Sequence, residues 1–187
     1  MITFTAVLLA GGESRRMGRD KATIEFGGQP LWRRQLDVLR AVGPEKIFVS
    51  ARTRPSWLPE DAELLLDDPP ARGPLSGLTK ALAELRTTHL LALAIDMPFM
   101  TSEQLAALCE LAGEGRGVVP VIGERAEPLA AIYPAEAAPE FATALAGFDF
   151  SLQGLIRKLA AQGKLQLLPA SLEDEYLYGS VNEPDDL

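Results

Sequence analysis

The stretch "TFTAVLLAGG", Thr3 to Gly12, determines the class of fold that the rest of the chain completes. Its first part is mostly apolar and contains β-branched side chains, and the run then stops at two glycines. A continuous apolar run is typical of a strand covered on both faces, because a half-exposed strand alternates apolar and polar residues. The stretch therefore predicts a central parallel strand that ends in a glycine loop.

Strand-like and helix-like patterns alternate outward from this first strand. Strands are predicted at 46–50, 63–67, 89–96 and 165–169, and helices at 31–43, 73–85, 101–113 and 151–163. Such alternation indicates a mainly parallel sheet with helices packed on its faces. Two short strands on either side of Glu124 interrupt the alternation and predict a small mixed β region or a small added lobe. We expect one α/β domain, residues 1–187, with a three-layer Rossmann-like architecture.

The composition excludes several classes of protein. The formal net charge is -8, which argues against nonspecific binding of nucleic acid, since that depends on many Lys and Arg contacts to phosphates. A single cysteine, Cys109, rules out an internal disulfide and fits a reducing compartment. The N-terminal apolar run is too short to span a bilayer, and its charges follow the run rather than precede it. We expect a cytoplasmic protein without membrane or nucleic-acid partners.

The glycine loop of this acidic chain is locally basic. The cations that follow Gly11 and Gly12 are Arg15, Arg16, Arg19 and Lys21. A solvated charge run is one explanation. The loop, however, follows the carboxyl end of a buried strand, where α/β proteins bind ligands, and Arg and Lys are the donors suited to a polyphosphate. The spacing matches neither the Walker pattern nor G-x-G-x-x-G, so a P-loop NTPase and a Rossmann dehydrogenase are not indicated.

Two aspartates are predicted to lie at the same edge of the sheet as this loop. Asp96 ends the strand 89–96 and precedes Met97-Pro98, and Asp67 ends the strand 63–67. An aspartate before proline is often only a turn residue. Because the carboxyl ends of parallel strands meet at one edge, both carboxylates are also suited to a ligand site. Mg²⁺ is commonly held by one or two carboxylates together with substrate phosphates.

Several motifs resemble those of a known family. "LAGGESRRMGRDK" closely resembles the opening signature L-A-G-G-x-S-x-R-M-G-x-D-K of the molybdenum cofactor guanylyltransferases. "DMP" resembles the D-x-P of nucleotidyltransferases, and "GPLSG" resembles the family's G-P-L-x-G segment. "VNEPDDL" resembles the family's N-x-N-T-P-E-D-L ending, except that Glu183 replaces the threonine and Ser180 the first asparagine.

The resemblance implies a nucleotidyltransferase fold and a Mg²⁺-dependent reaction between GTP and molybdopterin that releases pyrophosphate. It implies that Arg16, Lys21 and Asp96 are catalytic and that Asp96 holds the metal. The implied nucleotide contacts are Leu9, Ala10, Gly11, Gly12, Lys21, Asp67, Gly73, Gly77 and Asp96. Protein partners in cofactor delivery are compatible with this assignment.

Alternatives to this function remain open at the level of sequence. Cytidylyltransferase relatives tend to have L-A-A-G where this chain has "LAGG", and the room left by Gly12 suits guanine. A transferase that uses CTP or another acceptor, such as a sugar phosphate, remains an alternative. So does a nucleotide-binding relative without catalytic activity.

Overall fold

The computed structural model describes residues 2–11 and 20–181. Its strands are β1 (Phe4–Leu9), β2 (Glu25–Phe26), β3 (Gln29–Pro30), β4 (Ile47–Ala51), β5 (Glu63–Leu66), β6 (His89–Ala94), β7 (Gly117–Ile122), β8 (Arg125–Ala126), β9 (Ala130–Pro134) and β10 (Leu165–Pro169). Its α-helices are α1 (Leu31–Val42), α2 (Pro74–Ala83), α3 (Ser102–Leu111), α4 (Ala138–Ala146) and α5 (Leu152–Ala161). Short 3-10 helices occur at Lys21–Thr23, Ala135–Ala137 and Glu175–Tyr178.

The central sheet has the strand order β5-β4-β1-β6-β9-β7-β10, with β8 paired to β7. Strands β5, β4, β1 and β6 are parallel neighbours, and β10 is parallel to β7. Strand β9 is antiparallel to both β6 and β7. The prediction of a mainly parallel sheet with a mixed β region is therefore confirmed. The mixed part is built into the central sheet and is not an added lobe.

The register of the parallel strands aligns their carboxyl ends. Leu9, the last residue of β1, pairs with Ser50 of β4 and with Ala94 of β6. Ala51 then pairs with Leu66, the last residue of β5. As a result, the loops that follow four neighbouring strands leave the sheet at one edge. This edge is where ligands bind in open α/β sheets.

Strand β1 is covered on both faces, as its unbroken apolar run predicts. Ala6 and Leu8 belong to a core cluster with side chains of α1 and α3. Val7 and Leu9 belong to a second cluster with side chains of α2, α4 and α5. All four β1 side chains are at most 7% exposed. Each buried leucine or valine contributes about 1.5–3 kcal/mol of apolar burial, and the three-layer architecture is confirmed.

The sequence places Gln104 three residues after Thr101, which is a capping-box pattern at the start of α3, and the structure follows that pattern only in part. Thr101 Oγ1 accepts a hydrogen bond from the Gln104 backbone N–H at 3.3 Å, as the capping pattern predicts. The Gln104 side chain does not reciprocate. Its Nε2 donates instead to the Tyr178 hydroxyl at 2.8 Å, which attaches the C-terminal segment to α3.

Two elements carry too weak a pattern to be predicted. Within α4, Phe141 is the one fully buried side chain, and the rest of its apolar face consists of the partly buried Ala138, Ala144 and Leu145. The hairpin β2–β3 has strands of only two residues each. Its turn is made by Gly27 and Gly28 with φ values of 60° and 83°, which glycine adopts without steric cost. No helix within residues 2–11 and 20–181 combines the length and the apolar character needed to cross a membrane.

Candidate active site

A cleft of about 310 Å³ lies at the carboxyl edge of β5, β4, β1 and β6. Seven of the residues that the sequence nominates line it: Leu9, Ala10, Gly11, Lys21, Asp67, Gly73 and Asp96. Gly77 is buried below the cleft surface, on the face of α2 that packs against β1 and β4. Arg16 and Gly12 lie outside the described residues, as do Asn182 and Glu183.

Asp67 lies at one end of the cleft, directly after β5. Its Oδ1 accepts a hydrogen bond from Ser50 Oγ at 2.9 Å. Its Oδ2 lies over Gly11, where a Cβ atom would be only 2.7 Å away. Glycine is therefore the residue that lets this carboxylate approach the end of β1. Burial raises the pKa of Asp67, and the Ser50 hydrogen bond and the charge of Arg52 partly oppose that rise.

Lys21 and Asp96 form an ion pair at the other end of the cleft. The Lys21 Nζ lies 3.4 Å from Asp96 Oδ2 and donates to the Val181 carbonyl at 3.2 Å. The Val181 N–H donates in turn to the Asp96 carbonyl at 2.8 Å. Both side chains are partly exposed, at 17% and 25%, and such pairs contribute at most about 1 kcal/mol. Either group can therefore leave this ion pair to bind a ligand at little cost in free energy.

The 3-10 helix that carries Lys21 is held by Asp20. Asp20 Oδ1 accepts from the Ala22 N–H at 3.0 Å, and Asp20 Oδ2 accepts from Trp57 Nε1 at 3.2 Å. The Trp57 ring stacks on Trp32 of α1, with centroids 5.6 Å apart and planes within 12°. The "DK" end of the glycine-loop motif is thus anchored through Asp20 to a tryptophan that is distant in sequence.

The turn that carries Asp96 is held by two consecutive side chains of α1. Gln35 Nε2 donates to the carbonyls of Met97 at 2.6 Å and Ala94 at 3.3 Å. Arg34 Nε donates to the Pro98 carbonyl at 2.6 Å. Sequence reasoning missed this arrangement, although Gln35 carried a signal: it is a polar residue on the buried stripe of an amphipathic helix.

Replacing Gln35 with methionine is expected to lower kcat about tenfold. It frees the turn that carries Asp96, which we predict to be catalytic, and a small displacement of a catalytic group is costly. Methionine has a similar volume but removes both hydrogen bonds to the Asp96 turn. The loss of stability should stay near 1 kcal/mol, because Gln35 Oε1 is itself buried without a hydrogen-bond partner among the described residues. Steady-state kinetics and urea unfolding separate the two effects.

Gln153→Met is the matched control for this substitution. Gln153 also exchanges two hydrogen bonds with backbone, to the N–H and carbonyl of Ala126, but it lies on α5 away from Asp96. The Gln153→Met variant should have a lower free energy of unfolding and an unchanged kcat. Equal loss of kcat in both variants would mean that Gln35 only supports the fold.

Gly77 allows α2 to pack closely beneath the cleft. A Cβ at this position would overlap Ser50 Oγ and lie 2.9 Å from Leu9 Cδ2. Gly77→Ala should therefore lower the free energy of unfolding by about 1–2 kcal/mol, even though alanine favours helix by about 1 kcal/mol. Gly154→Ala in α5 is the control, since its Cβ would meet only Asp149 Oδ2 at 3.6 Å. Urea unfolding should show a loss at position 77 and none at 154.

Arg52 and Ser50 are cleft residues that the sequence did not nominate as contacts. Ser50 is the fourth residue of β4, and Arg52 follows the strand directly. Arg52 places a positive charge near Asp67, which lowers the pKa of that carboxyl against the effect of burial. The sequence signal that could have identified them is their position at the carboxyl end of a predicted parallel strand, where ligands bind in α/β sheets.

The oxygen donors of the cleft fit a divalent cation that also binds a substrate. Within residues 2–11 and 20–181, no group of three or more His, Cys, Asp or Glu side chains could hold a metal ion by itself. Asp96 instead offers one partly exposed carboxylate beside Lys21. Mg²⁺ is commonly bound by one or two carboxylates, substrate phosphates and water, so this donor set suits it.

Comparisons with known proteins agree with this architecture. Residues 6–164 match the family model of the MobA-like NTP transferase domain. The chain is 34% identical over 182 residues to a probable molybdenum cofactor guanylyltransferase of Opitutus terrae, covering 96% of this chain and 90% of that protein.

Solved structures show the same fold. Molybdopterin-guanine dinucleotide biosynthesis protein A from Archaeoglobus fulgidus superposes with a TM-score of 0.67 at 25% identity, over 97% of this chain and 94% of that one. A nucleotidyl transferase from Methanothermobacter superposes with a TM-score of 0.77 at 16% identity, over 98% and 94%. The chain belongs to the MobA-like NTP transferase family, and within it to the molybdenum cofactor guanylyltransferases.

Proposed function

We propose that this protein transfers GMP from GTP to molybdopterin and releases pyrophosphate, with Mg²⁺ as cofactor and in the cytoplasm. The observation that carries the proposal is that Asp67, Lys21 and Asp96 line one and the same cleft. The names of the relatives support guanine as the base and the molybdenum cofactor as the acceptor.

The length of the cleft suits a nucleotide. Asp67 follows β5 and Asp96 follows β6, and these strands are three positions apart in the sheet. With strands spaced about 4.8 Å apart, the two ends of the cleft are separated by roughly 14 Å. A guanosine 5′-phosphate fits this span, with its base near Asp67 and Gly11 and its phosphates near Lys21 and Asp96.

The reaction needs charge stabilisation and alignment more than covalent chemistry. A phosphate oxygen of the acceptor attacks the α-phosphorus of GTP, a new P–O bond forms, and the bond from the α-phosphorus to the bridging oxygen of pyrophosphate breaks. Lys21 and Arg16 stabilise the negative charge on the phosphates. Asp96 would hold Mg²⁺, which supplies further positive charge to the phosphates when bound.

Asp67→Asn is expected to weaken GTP binding by about 10- to 100-fold, because a carboxylate accepts the N–H groups of guanine in a charged hydrogen bond. The raised pKa of Asp67 sets the sign of a pH effect. On acidification, Asp67 is protonated at a higher pH than an ordinary aspartate. The affinity of the wild type for GTP should therefore fall as the pH drops through this raised pKa, and the affinity of the Asn variant should not show that fall. Calorimetric titration over a pH series measures both effects.

Asp68→Asn is the control for this prediction. The neighbouring carboxylate is 86% exposed and pairs with Lys80 at 3.1 Å, outside the cleft. Its replacement should leave GTP affinity at neutral pH unchanged. Because the charge of Asp68 slightly raises the pKa of Asp67, the variant should move the loss of affinity on acidification to slightly lower pH without abolishing it. Equal weakening by both variants would place the base elsewhere.

The function is tested by titrating GTP, CTP, ATP and UTP in the presence of Mg²⁺ and then measuring pyrophosphate release with molybdopterin. Selective binding of GTP followed by release supports the proposal. A preference for CTP indicates a cytidylyltransferase. Nucleotide binding without release, whatever acceptor is offered, indicates a relative that binds nucleotides without catalysis.

A further inference from the structure

Three aromatic side chains form a cluster beside the turn that carries Asp96. Phe26 and Phe99 meet edge to face with centroids 5.3 Å apart and planes at 89°. Phe99 and Tyr176 meet at 6.5 Å and 67°. Phe99 is 37% exposed and Tyr176 is 64% exposed, so this aromatic patch of Phe26, Phe99 and Tyr176 is open to solvent. Exposed aromatic side chains grouped in this way are typical of a binding surface.

The aromatic patch is continuous with the candidate active site. Phe99 lies three residues after Asp96 in the same turn. Tyr176 belongs to the C-terminal segment whose Val181 donates to the Asp96 carbonyl and accepts from Lys21. Two short chain segments, 96–99 and 176–181, therefore connect the patch to the end of the cleft at which Lys21 and Asp96 lie.

The nucleoside half of the cleft lies elsewhere. It is formed by the ends of β1, β4 and β5, with Asp67 at its far end, and none of the three rings lines it. An acceptor that attacks the α-phosphorus must reach Lys21 and Asp96 without displacing the nucleoside. The aromatic patch is a surface next to those two residues on which the body of such an acceptor can rest.

Arg34 adds a positive charge to the border of the patch. Its guanidinium carbon lies 5.6 Å from the centroid of the Phe26 ring, and its Nε is engaged by the Pro98 carbonyl. Within residues 2–11 and 20–181, its two terminal nitrogens have no hydrogen bond or ion pair. Those nitrogens are available to an anionic group of a ligand bound on the rings.

We propose that the aromatic patch binds the fused pterin ring of the acceptor by stacking, with Arg34 contacting its anionic substituents. This inference rests on the proposed function and assigns it an acceptor site. A planar heteroaromatic ring stacks on aromatic side chains, as nucleobases do, and the phosphate that the pterin carries then extends toward Lys21 and Asp96.

The test uses Phe99→Leu, Tyr176→Leu and the double variant. Each single variant should raise the KM for molybdopterin about tenfold and the double variant about 100-fold, in line with the loss of one or two stacked rings. The calorimetric Kd for GTP should stay within about twofold of wild type, because no patch residue lines the nucleoside half. The affinity for 6-hydroxymethylpterin, measured by the fluorescence of that compound in the presence of GTP, should fall in the same order of variants as the KM for molybdopterin rises.

Phe148→Leu is the matched control. Phe148 is fully exposed, at 101%, and lies in the loop between α4 and α5. It removes an exposed ring of the same kind and should change neither KM nor pterin binding. If the double variant keeps the wild-type KM and pterin affinity, the proposal is wrong. This holds also if that variant loses binding to a protein partner, because the patch would then be a protein-binding surface. Failure of the proposed function is seen separately, as absence of GTP-selective binding in the wild type.

Discussion

Replacing Asp96 with asparagine is expected to lower turnover by about 10³-fold, the scale at which one group that stabilises charge in an active site contributes. Asparagine has almost the same shape but lacks the charge that would hold Mg²⁺ and that pairs with Lys21 at 3.4 Å. The backbone bond from the Val181 N–H to the Asp96 carbonyl is unaffected. The free energy of unfolding should therefore change by less than about 1 kcal/mol.

The measurements are single-turnover pyrophosphate release and calorimetric titration of GTP with Mg²⁺. Asp61→Asn is the control, because Asp61 also pairs with a cation, Arg40, at 2.8 Å, but lies on the surface outside the cleft. Asp61 is 57% exposed, so loss of this ion pair should change the free energy of unfolding by at most about 1 kcal/mol and leave turnover unchanged. An Asp96→Asn enzyme with a tenth or more of wild-type turnover would refute the assignment of Asp96 as the metal ligand.

Replacing Lys21 with methionine is expected to lower kcat by about 100-fold and to weaken GTP binding. Methionine keeps an unbranched apolar stem and removes the ammonium group that we propose stabilises charge on the phosphates. Lys21 is partly buried, and its Nζ reaches Asp96 and Val181, so the charge is already directed into the cleft without a bound ligand. Little rearrangement is then needed when phosphates bind.

Lys46→Met serves as the control for Lys21, since Lys46 pairs with Glu63 at 2.8 Å on the surface. Lys21→Arg should recover part of the loss, because it restores the charge but with a larger, planar head group. Steady-state kcat and KM for GTP, measured together, distinguish the two roles. A raised KM with an unchanged kcat would mean that Lys21 contributes equally to binding the ground state and the transition state, and that it has no separate role in the chemical step.

The sequence by itself determined the central strand, the alternation that makes the sheet mainly parallel, and the nomination of Lys21, Asp67 and Asp96. These features depend on local patterns. An unbroken apolar run indicates a strand buried on both faces, and polar residues after parallel strands fall at one edge of the sheet. The likeness of "LAGGESRRMGRDK" to a family signature then indicated the chemistry. The roles of the individual site residues remain predictions.

Only the tertiary structure decided how these side chains are held. Ser50 contacts Asp67, and Gly11 makes room for that carboxylate, because β1, β4 and β5 are neighbours in the sheet. Gln35 reaches the Asp96 turn because α1 packs over the end of β6. Strand order and helix packing bring together residues far apart in the chain, and no local pattern encodes that order. For this reason the sequence could identify the aspartates, while the structure alone revealed the residues that position them.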